Sequence, residues 1–200
     1  MKDHAMREEA IVNTALDLAE DHGVAGVTTA GLARRLQFTE AALYRYFPGK
    51  GAIIAAALRH MAERLFATML LELMPEAVQH GHAQELQVQR HIQRFALRNG
   101  LLLELLLFAS GNREEALQIA GGEFLQEYTS RMTAYFKQLQ ELRLTSTATS
   151  PSELARLWAC QLLGGFVRCR LAREPWDPVA QAGFQAFLTQ LQSSSTLAAS

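Results

Sequence analysis

The segment TEAALYRYFPGK, residues 39–50, places side chains that can bind phosphates and base edges within one short stretch. It contains Tyr44, Arg45 and Lys50, and a Pro-Gly pair interrupts it. An arginine guanidinium can bond a phosphate or the edge of guanine through two N–H groups at once, and a tyrosine hydroxyl can donate to a phosphate. These residue types, on one short predicted helix, indicate contact with DNA.

The charge of the chain is nearly balanced, with 19 basic and 20 acidic side chains among 200 residues. A formal net charge of −1 gives no overall positive field that would attract nucleic acid. Residues 28–50 differ, because they hold four cations, Arg34, Arg35, Arg45 and Lys50, against the single carboxylate of Glu40. The positive charge is therefore concentrated on this segment.

Capping signals and apolar spacing place the segment in a helix-turn-helix. Thr28 or Thr29 can cap a short helix that ends near Leu36, and the tripeptide QFT connects it to a second helix over about 40–47. In such a motif the second helix lies in the major groove. The alternative is that the tyrosines are half-buried packing residues and the cations a solvated face. The coincidence of all these signals favours DNA binding.

The remaining sequence predicts an all-α fold of about nine helices. Its expected parts are an N-terminal three-helix DNA-binding domain at residues 1–50, a larger helical dimerisation or regulatory domain at 51–192 and a flexible tail at 193–200. The long linking helix begins at Lys50 and runs to about Met74. Further helices are expected over about 85–98, 100–109, 113–142, 152–173 and 177–192.

Other features favour a soluble, cytoplasmic protein that is not an enzyme. The two cysteines lie nine residues apart, which fits neither a disulfide framework nor a metal site. The longest apolar block, residues 101–109, is too short to cross a bilayer. His80, His82 and His91 lack further metal ligands nearby in the sequence, and no Gly-rich phosphate loop is present. We expect no metal and no cofactor.

The stretch VTTAGLARRLQFTEAALYRYFPGKGAI resembles the DNA-binding region of TetR-family regulators, strongly so over about residues 8–60. The resemblance implies a repressor that occupies a near-palindromic operator. Gln37 stands where the family usually has a turn glycine, and Tyr46 where it usually has histidine. A left-handed Gln37 would cost about 1 kcal/mol. The expected DNA-binding residues are Thr28, Thr29, Arg34, Thr39, Glu40, Ala41, Tyr44, Arg45, Tyr46 and Lys50.

TetR-family proteins dimerise through their last two helices, and apolar stripes here fit a homodimer. The alternative is that part of each stripe packs inside a single chain as ordinary core. The expected interface residues are Leu154, Leu157, Trp158, Gln161, Leu162, Gly165, Phe166, Phe184, Phe187, Leu188 and Leu191.

Such regulators often hold a small-molecule effector in the helical body. Aromatic and methionine side chains at helical spacing could line a pocket, although such a stripe is more often core. The candidate lining residues are Phe66, Met69, Phe95, Phe108, Phe124, Tyr128, Met132 and Phe136.

A narrower resemblance, carried by TEAALYRYFPGK, RNGLLLELLL and GGFVRCRLAREPWDP, is to the nucleoid-occlusion branch of the family. It implies a nucleoid-associated protein that binds many chromosomal sites and antagonises the cell-division GTPase. The partner groove corresponds to His60, Thr68, Arg94, Arg98 and Asn99, of which the first three depart from the branch. This function is the alternative to the repressor. A helical adaptor without DNA binding is the second alternative.

Overall fold

The computed structural model describes residues 2–72, 100–143, 145 and 147–174, and every regular element in these ranges is helical. The predicted all-α fold class is confirmed. The predicted helices at 85–98 and 177–192 and the tail at 193–200 lie outside the described residues. The elements are α1 Lys2–His22, a 3-10 turn Val24–Gly26, α2 Thr29–Leu36, α3 Glu40–Leu43, α4 Lys50–Glu72, α5 Gly100–Gly111, α6 Glu115–Glu141 and α7 Pro151–Ala172.

The second helix of the helix-turn-helix is shorter than predicted. It is α-helical only over Glu40–Leu43, and the chain continues as a tight turn in which the N–H groups of Tyr46 and Phe47 both donate to the Leu43 carbonyl, at 2.9 and 3.0 Å. Proline disfavours α-helical backbone in the residue before it, so Pro48 keeps Phe47 from continuing this turn as helix. Tyr44 and Arg45 therefore follow α3 instead of lying within it.

The chain divides into two compact units. One contains Met1–Arg64 and Leu101–Phe124, and the other contains Leu65–Gly100 and Leu125–Ser200. The division falls within α4 and α6, whereas the predicted functional boundary lies at residue 50. That functional boundary stays a prediction.

The first unit holds the helix-turn-helix on an apolar core. Leu32 of α2 is fully buried, Leu43 of α3 is 1% exposed, and Ile11 of α1 is fully buried. Each such side chain contributes about 1.5–3 kcal/mol by leaving water. Helix α1 packs against α2, and α2 packs against α3. This core fixes the angle at which α2 and α3 meet.

Gln37 links α2 to α3 in the left-handed region of backbone conformation, with φ 57° and ψ 37°. Its N–H donates to the Arg34 carbonyl at 3.3 Å, and the N–H of Phe38 donates to the Ala33 carbonyl at 2.8 Å, which closes the end of α2. A residue with a Cβ pays about 1–2 kcal/mol in this conformation, and glycine does not. Gln37 therefore carries the strain that the sequence attached to a left-handed residue at this position.

Replacing Gln37 by glycine is expected to raise the free energy of unfolding by about 1 kcal/mol, because the strain at the turn is removed. Urea titration followed by circular dichroism measures the change. Gln37→Ala is the matched control, since alanine keeps the Cβ and should leave the midpoint almost unchanged. Equal midpoints for the glycine and alanine variants would contradict this account of the turn.

The second unit has an aromatic centre between α6 and α7. The indole N–H of Trp158 donates to the hydroxyl of Tyr128 at 2.8 Å, and the Trp158 ring meets Phe136 edge-on with centroids 6.0 Å apart. All three side chains are buried.

Within the described ranges, no helix combines the length and the apolar character that crossing a membrane would require.

Candidate nucleic-acid interface

Both helices of the helix-turn-helix begin at a threonine whose side chain caps them. Thr28 Oγ1 accepts from the N–H of Gly31 at 3.0 Å, and Thr39 Oγ1 accepts from the N–H of Ala42 at 3.2 Å. Both threonines are exposed. A capping hydroxyl uses an oxygen lone pair and keeps its own proton, so each can still donate to a phosphate.

Thr29 and Glu40, both predicted to contact DNA, contact each other. The Thr29 hydroxyl donates to Glu40 Oε2 at 2.7 Å, which joins the first turn of α2 to the first turn of α3. A carboxylate in the first turn of a helix also complements the positive end of its dipole. The pair therefore holds the two helix N-termini next to each other.

Three arginine side chains in this segment differ in whether they form an ion pair. Arg35 forms an ion pair with Asp21 of α1 at 2.8 Å, and the hydrogen bond from Arg35 lowers the pKa of the Asp21 carboxyl. Arg34 and Arg45 are exposed and form no ion pair or hydrogen bond with another described side chain. Arg34 and Arg45 are therefore the cations of this segment that are available to bind an anion.

The two tyrosines after α3 have different environments. The Tyr44 side chain is 54% exposed, which leaves its hydroxyl accessible to a ligand. Tyr46 is half-buried, and its ring lies against His4 of α1 with centroids 4.7 Å apart. Tyr44 thus fits a contact to DNA, and Tyr46 also serves to pack α1.

Lys50 begins α4 and is engaged within its own chain. Its Nζ donates to the carbonyl of Ala25 at 3.0 Å and lies 5.5 Å from the centre of the Phe108 ring. Partial burial lowers the pKa of the Lys50 ammonium, and the nearby Glu114 carboxylate opposes that shift. The sequence predicted a phosphate contact for this lysine, and no feature of the sequence indicated its bond to Ala25.

Sequence analysis assigned no contact to Glu104. It interrupts the leucine run of α5, and its Oε1 accepts from the N–H of Val24 at 3.2 Å. A single carboxylate in an otherwise apolar helix indicates a buried or half-buried polar contact. That signal was present in the sequence, but the identity of its partner was not.

The residues predicted to line an effector pocket are buried or half-buried where they are described. Phe108 lies beneath Lys50, while Met69, Tyr128, Met132 and Phe136 are buried in the second unit. Phe66 is half-buried, Phe124 is buried, and Phe95 lies outside the described residues. Tyr135 lies beside Phe136, and its buried hydroxyl has no hydrogen-bond partner in the part of the chain that the structure describes.

The predicted dimer stripe on α7 has a buried side and an exposed side. The aromatic and leucine side chains that are buried within the single chain are Leu154, Trp158, Leu162 and Phe166. Leu157 is 49% exposed, Gln161 is exposed, and Gly165 is half-buried. Phe184, Phe187, Leu188 and Leu191 lie outside the described residues. The exposed side of α7 is thus the part that remains accessible to a second copy.

Two positions of the predicted partner groove can be placed on α4. His60 is half-buried, and the exposed Thr68 donates its hydroxyl to the Leu65 carbonyl at 2.8 Å. Arg94, Arg98 and Asn99 lie outside the described residues.

Within the ranges that are described, no three His, Cys, Asp or Glu side chains are grouped so that they could hold a metal ion. His80, His82 and His91 lie outside those ranges.

Comparison with known proteins identifies the region that carries this interface. Residues 11–57 match the family model of bacterial regulatory proteins of the tetR family. The chain is 28% identical over 180 residues to nucleoid occlusion factor SlmA of Marinobacter nauticus, covering 88% of this chain and 91% of that protein. It is 41% identical over 56 residues to tetracycline repressor protein class C of Escherichia coli, covering 28% of this chain and 26% of that protein.

A solved structure has the same fold. The reduced form of E. coli NemR aligns with a TM-score of 0.69 at 15% identity, covering 94% of this chain and 96% of that chain. At this identity the likeness concerns the fold alone. The helix-turn-helix, the family match over α1 to α4 and the all-α architecture agree. Over residues 11–57 the chain matches the tetR family of bacterial regulatory proteins, and over most of its length it is similar to a nucleoid occlusion factor.

Proposed function

We propose that this regulator binds a near-palindromic DNA site as a homodimer and represses transcription there. The observation that carries the proposal is the exposure of Arg34, Tyr44 and Arg45 beside two threonine-capped helix N-termini. One recognition helix reads only a few base pairs, so a second copy is needed for useful affinity. The protein would act in the cytoplasm, on the nucleoid.

The candidate residues have different proposed roles. Thr28, Arg34, Thr39 and Tyr44 position the protein on the phosphate backbone, because hydroxyls and an exposed guanidinium suit phosphate oxygens. Thr29, whose hydroxyl proton is bonded to Glu40, lies beside them at the start of α2. Glu40, Ala41 and Arg45 face the groove, where Arg45 can bond guanine. Tyr46 lies beside this set, and Lys50 at the start of α4 is a further candidate for a phosphate contact.

Dimerisation is assigned to residues 51–192 and DNA binding to residues 1–50. The exposed face of α7, with Leu157, Gln161 and Gly165, supports contact with a second copy, and its buried residues hold this face in place. A small molecule that binds in the helical body would change the separation of the two recognition helices. The hydroxyl of Tyr135 is a polar group that such a molecule could satisfy.

Nucleoid occlusion is the second candidate function. The observation that favours it is the similarity to SlmA, which extends over 91% of that relative, whereas similarity to the tetracycline repressor is confined to 26% of its length. In this role the protein would bind many chromosomal sites and antagonise the cell-division GTPase. The departures at His60, Thr68 and Arg94 weigh against it. A helical adaptor without DNA binding is the third possibility.

Capture of genomic DNA separates these functions. Purified protein is mixed with fragmented DNA from its own organism, the bound fragments are sequenced, and Tyr44→Ala/Arg45→Ala serves as the blank. A Lys137→Ala variant controls for charge loss at an exposed position distant in sequence from the motif. One or a few palindromic sites support a local repressor, and dozens of related sites support nucleoid occlusion. Equal recovery by the wild type and the blank rejects specific binding through this motif.

A further inference from the structure

Glu40 is an exposed carboxylate at the start of α3, the helix that the proposed function places in the major groove. It is the single acidic side chain among residues 28–50, which also hold four cations. A carboxylate that faces DNA is repelled by phosphates and by the acceptor groups of the bases, so it lowers affinity unless it meets a hydrogen-bond donor. One specific contact to such a donor can offset this cost.

Thr29 fixes one oxygen of this carboxylate. The Thr29 hydroxyl donates to Glu40 Oε2 at 2.7 Å, across the connection between α2 and α3. Glu40 forms no ion pair with another described side chain, so its carboxylate is held by a neutral donor and keeps its negative charge. An ionised carboxylate has about four acceptor positions on its two oxygens, and the Thr29 bond uses one of them. Oε1 is thus an acceptor whose position is set.

The side chains next to Glu40 leave that acceptor accessible. Ala41 is small and exposed, and Tyr44 and Arg45 are exposed as well. The N–H of Tyr44 donates to the Glu40 carbonyl at 3.2 Å, which places Tyr44 one helical turn after Glu40 on the same side. The exposed face therefore offers a fixed acceptor at its start and a guanidinium donor at its end.

The base edges in the major groove differ in how well they match a fixed carboxylate. Guanine presents two acceptors there, and thymine presents an acceptor and a methyl group. Adenine presents its N6 amino group beside the N7 acceptor, which would repel the carboxylate, whereas cytosine presents its N4 amino group without an adjacent acceptor. Cytosine is therefore the base that this acceptor matches best.

We propose that Glu40 is a specificity-determining residue that accepts a hydrogen bond from the amino group of a cytosine in each half-site, and that Thr29 is the positioning residue that holds its carboxylate for this contact. The inference rests on the DNA binding proposed above, and it applies equally to a local repressor and to a nucleoid occlusion factor. It leaves the proposed phosphate contacts unchanged.

Selection from a randomised duplex DNA library compares the wild type with Glu40→Gln. Glutamine has nearly the same shape without the charge, and its amide can pair with N6 and N7 of adenine. The wild type is expected to select cytosine at one position of each half-site and Glu40→Gln to select adenine there, a change in preference of about tenfold. The same base at every position for both proteins would overturn the inference alone. A wild type that selects no sequence would reject the proposed function as well.

Thr29→Val tests the positioning role, because valine keeps the shape of threonine and lacks its hydroxyl. Fluorescence anisotropy on duplexes that differ at the one position should show the preference for cytosine reduced about threefold, with the other positions unaffected. Thr29→Ser retains a hydroxyl and should keep the preference. Circular dichroism checks the fold, and if Thr29→Val does not fold, the loss of preference is sought in Thr29→Ala.

Thr28→Val is the matched control at the adjacent position. It removes a hydroxyl that caps α2 and does not bond Glu40, so it should weaken binding to all sequences alike. An equal loss of the cytosine preference in Thr28→Val and Thr29→Val would overturn the positioning role of Thr29. A full cytosine preference in a folded Thr29→Val would do the same.

Discussion

Replacing Tyr44 and Arg45 together by alanine is expected to weaken DNA binding by at least about a hundredfold. Each lost phosphate or base contact costs about 1–3 kcal/mol, and a dimer loses both contacts twice. Because both side chains are exposed and follow the short helix α3, their removal should leave the fold intact. Fluorescence anisotropy with a labelled operator measures the affinity, and circular dichroism checks the fold.

Single substitutions then distinguish a contact to the phosphate backbone from a contact that reads a base. Tyr44→Phe removes a hydroxyl and is expected to weaken binding to all sequences alike, whereas Arg45→Met should change which sequences are preferred. Lys137→Ala removes one exposed cation elsewhere and should bind almost as the wild type does. If the double variant lost no more than Lys137→Ala, this part of the chain would not be the DNA-binding surface. An equal loss on every sequence for Arg45→Met would assign Arg45 to backbone positioning.

Trp158→Ala is expected to lower the free energy of unfolding by about 3–5 kcal/mol, which is a large share of the total for a typical protein. The side chain is 1% exposed, bonds Tyr128 and packs edge-on against Phe136, so its removal leaves a cavity and takes away the donor to that hydroxyl. Urea titration at a fixed protein concentration measures the loss.

The neighbouring Leu157→Ala is the matched control on the same helix. Leu157 is 49% exposed, and its truncation should change the unfolding free energy of a single chain by less than about 0.5 kcal/mol. If the exposed face of α7 forms the dimer, the same change shifts the dimer towards monomer in light scattering at micromolar concentration. A folded but monomeric Trp158→Ala would contradict the core role of Trp158 and place it at the interface.

Local signals in the sequence predicted much of this fold. Threonine caps located the starts of α2 and α3, and each is a contact between residues three apart in sequence. The sequence showed that Gln37 stands at a turn where left-handed backbone would be costly, and the structure has that backbone. The extent of α3 was overestimated, since regular helix ends at Leu43 and the chain reaches Pro48 through a turn closed on the Leu43 carbonyl.

The contacts that organise the candidate interface could not be predicted in the same way. The Thr29–Glu40, Lys50–Ala25 and Glu104–Val24 bonds join residues 11, 25 and 80 positions apart, so they depend on how the helices pack. Residue type alone could not distinguish Arg34, which is available, from Arg35, which binds Asp21. The division of the α7 stripe into buried Trp158 and exposed Leu157 likewise arises from packing against α6.

The most direct test of the central claim is a salt titration of the purified wild-type protein on a DNA fragment recovered from its own genome, with the binding stoichiometry determined in the same experiment. A helix-turn-helix dimer with about eight phosphate contacts predicts a log–log slope near −7 and two chains on each site. A slope near zero, or one chain on each site, would contradict the account of this chain as a dimeric DNA-binding regulator.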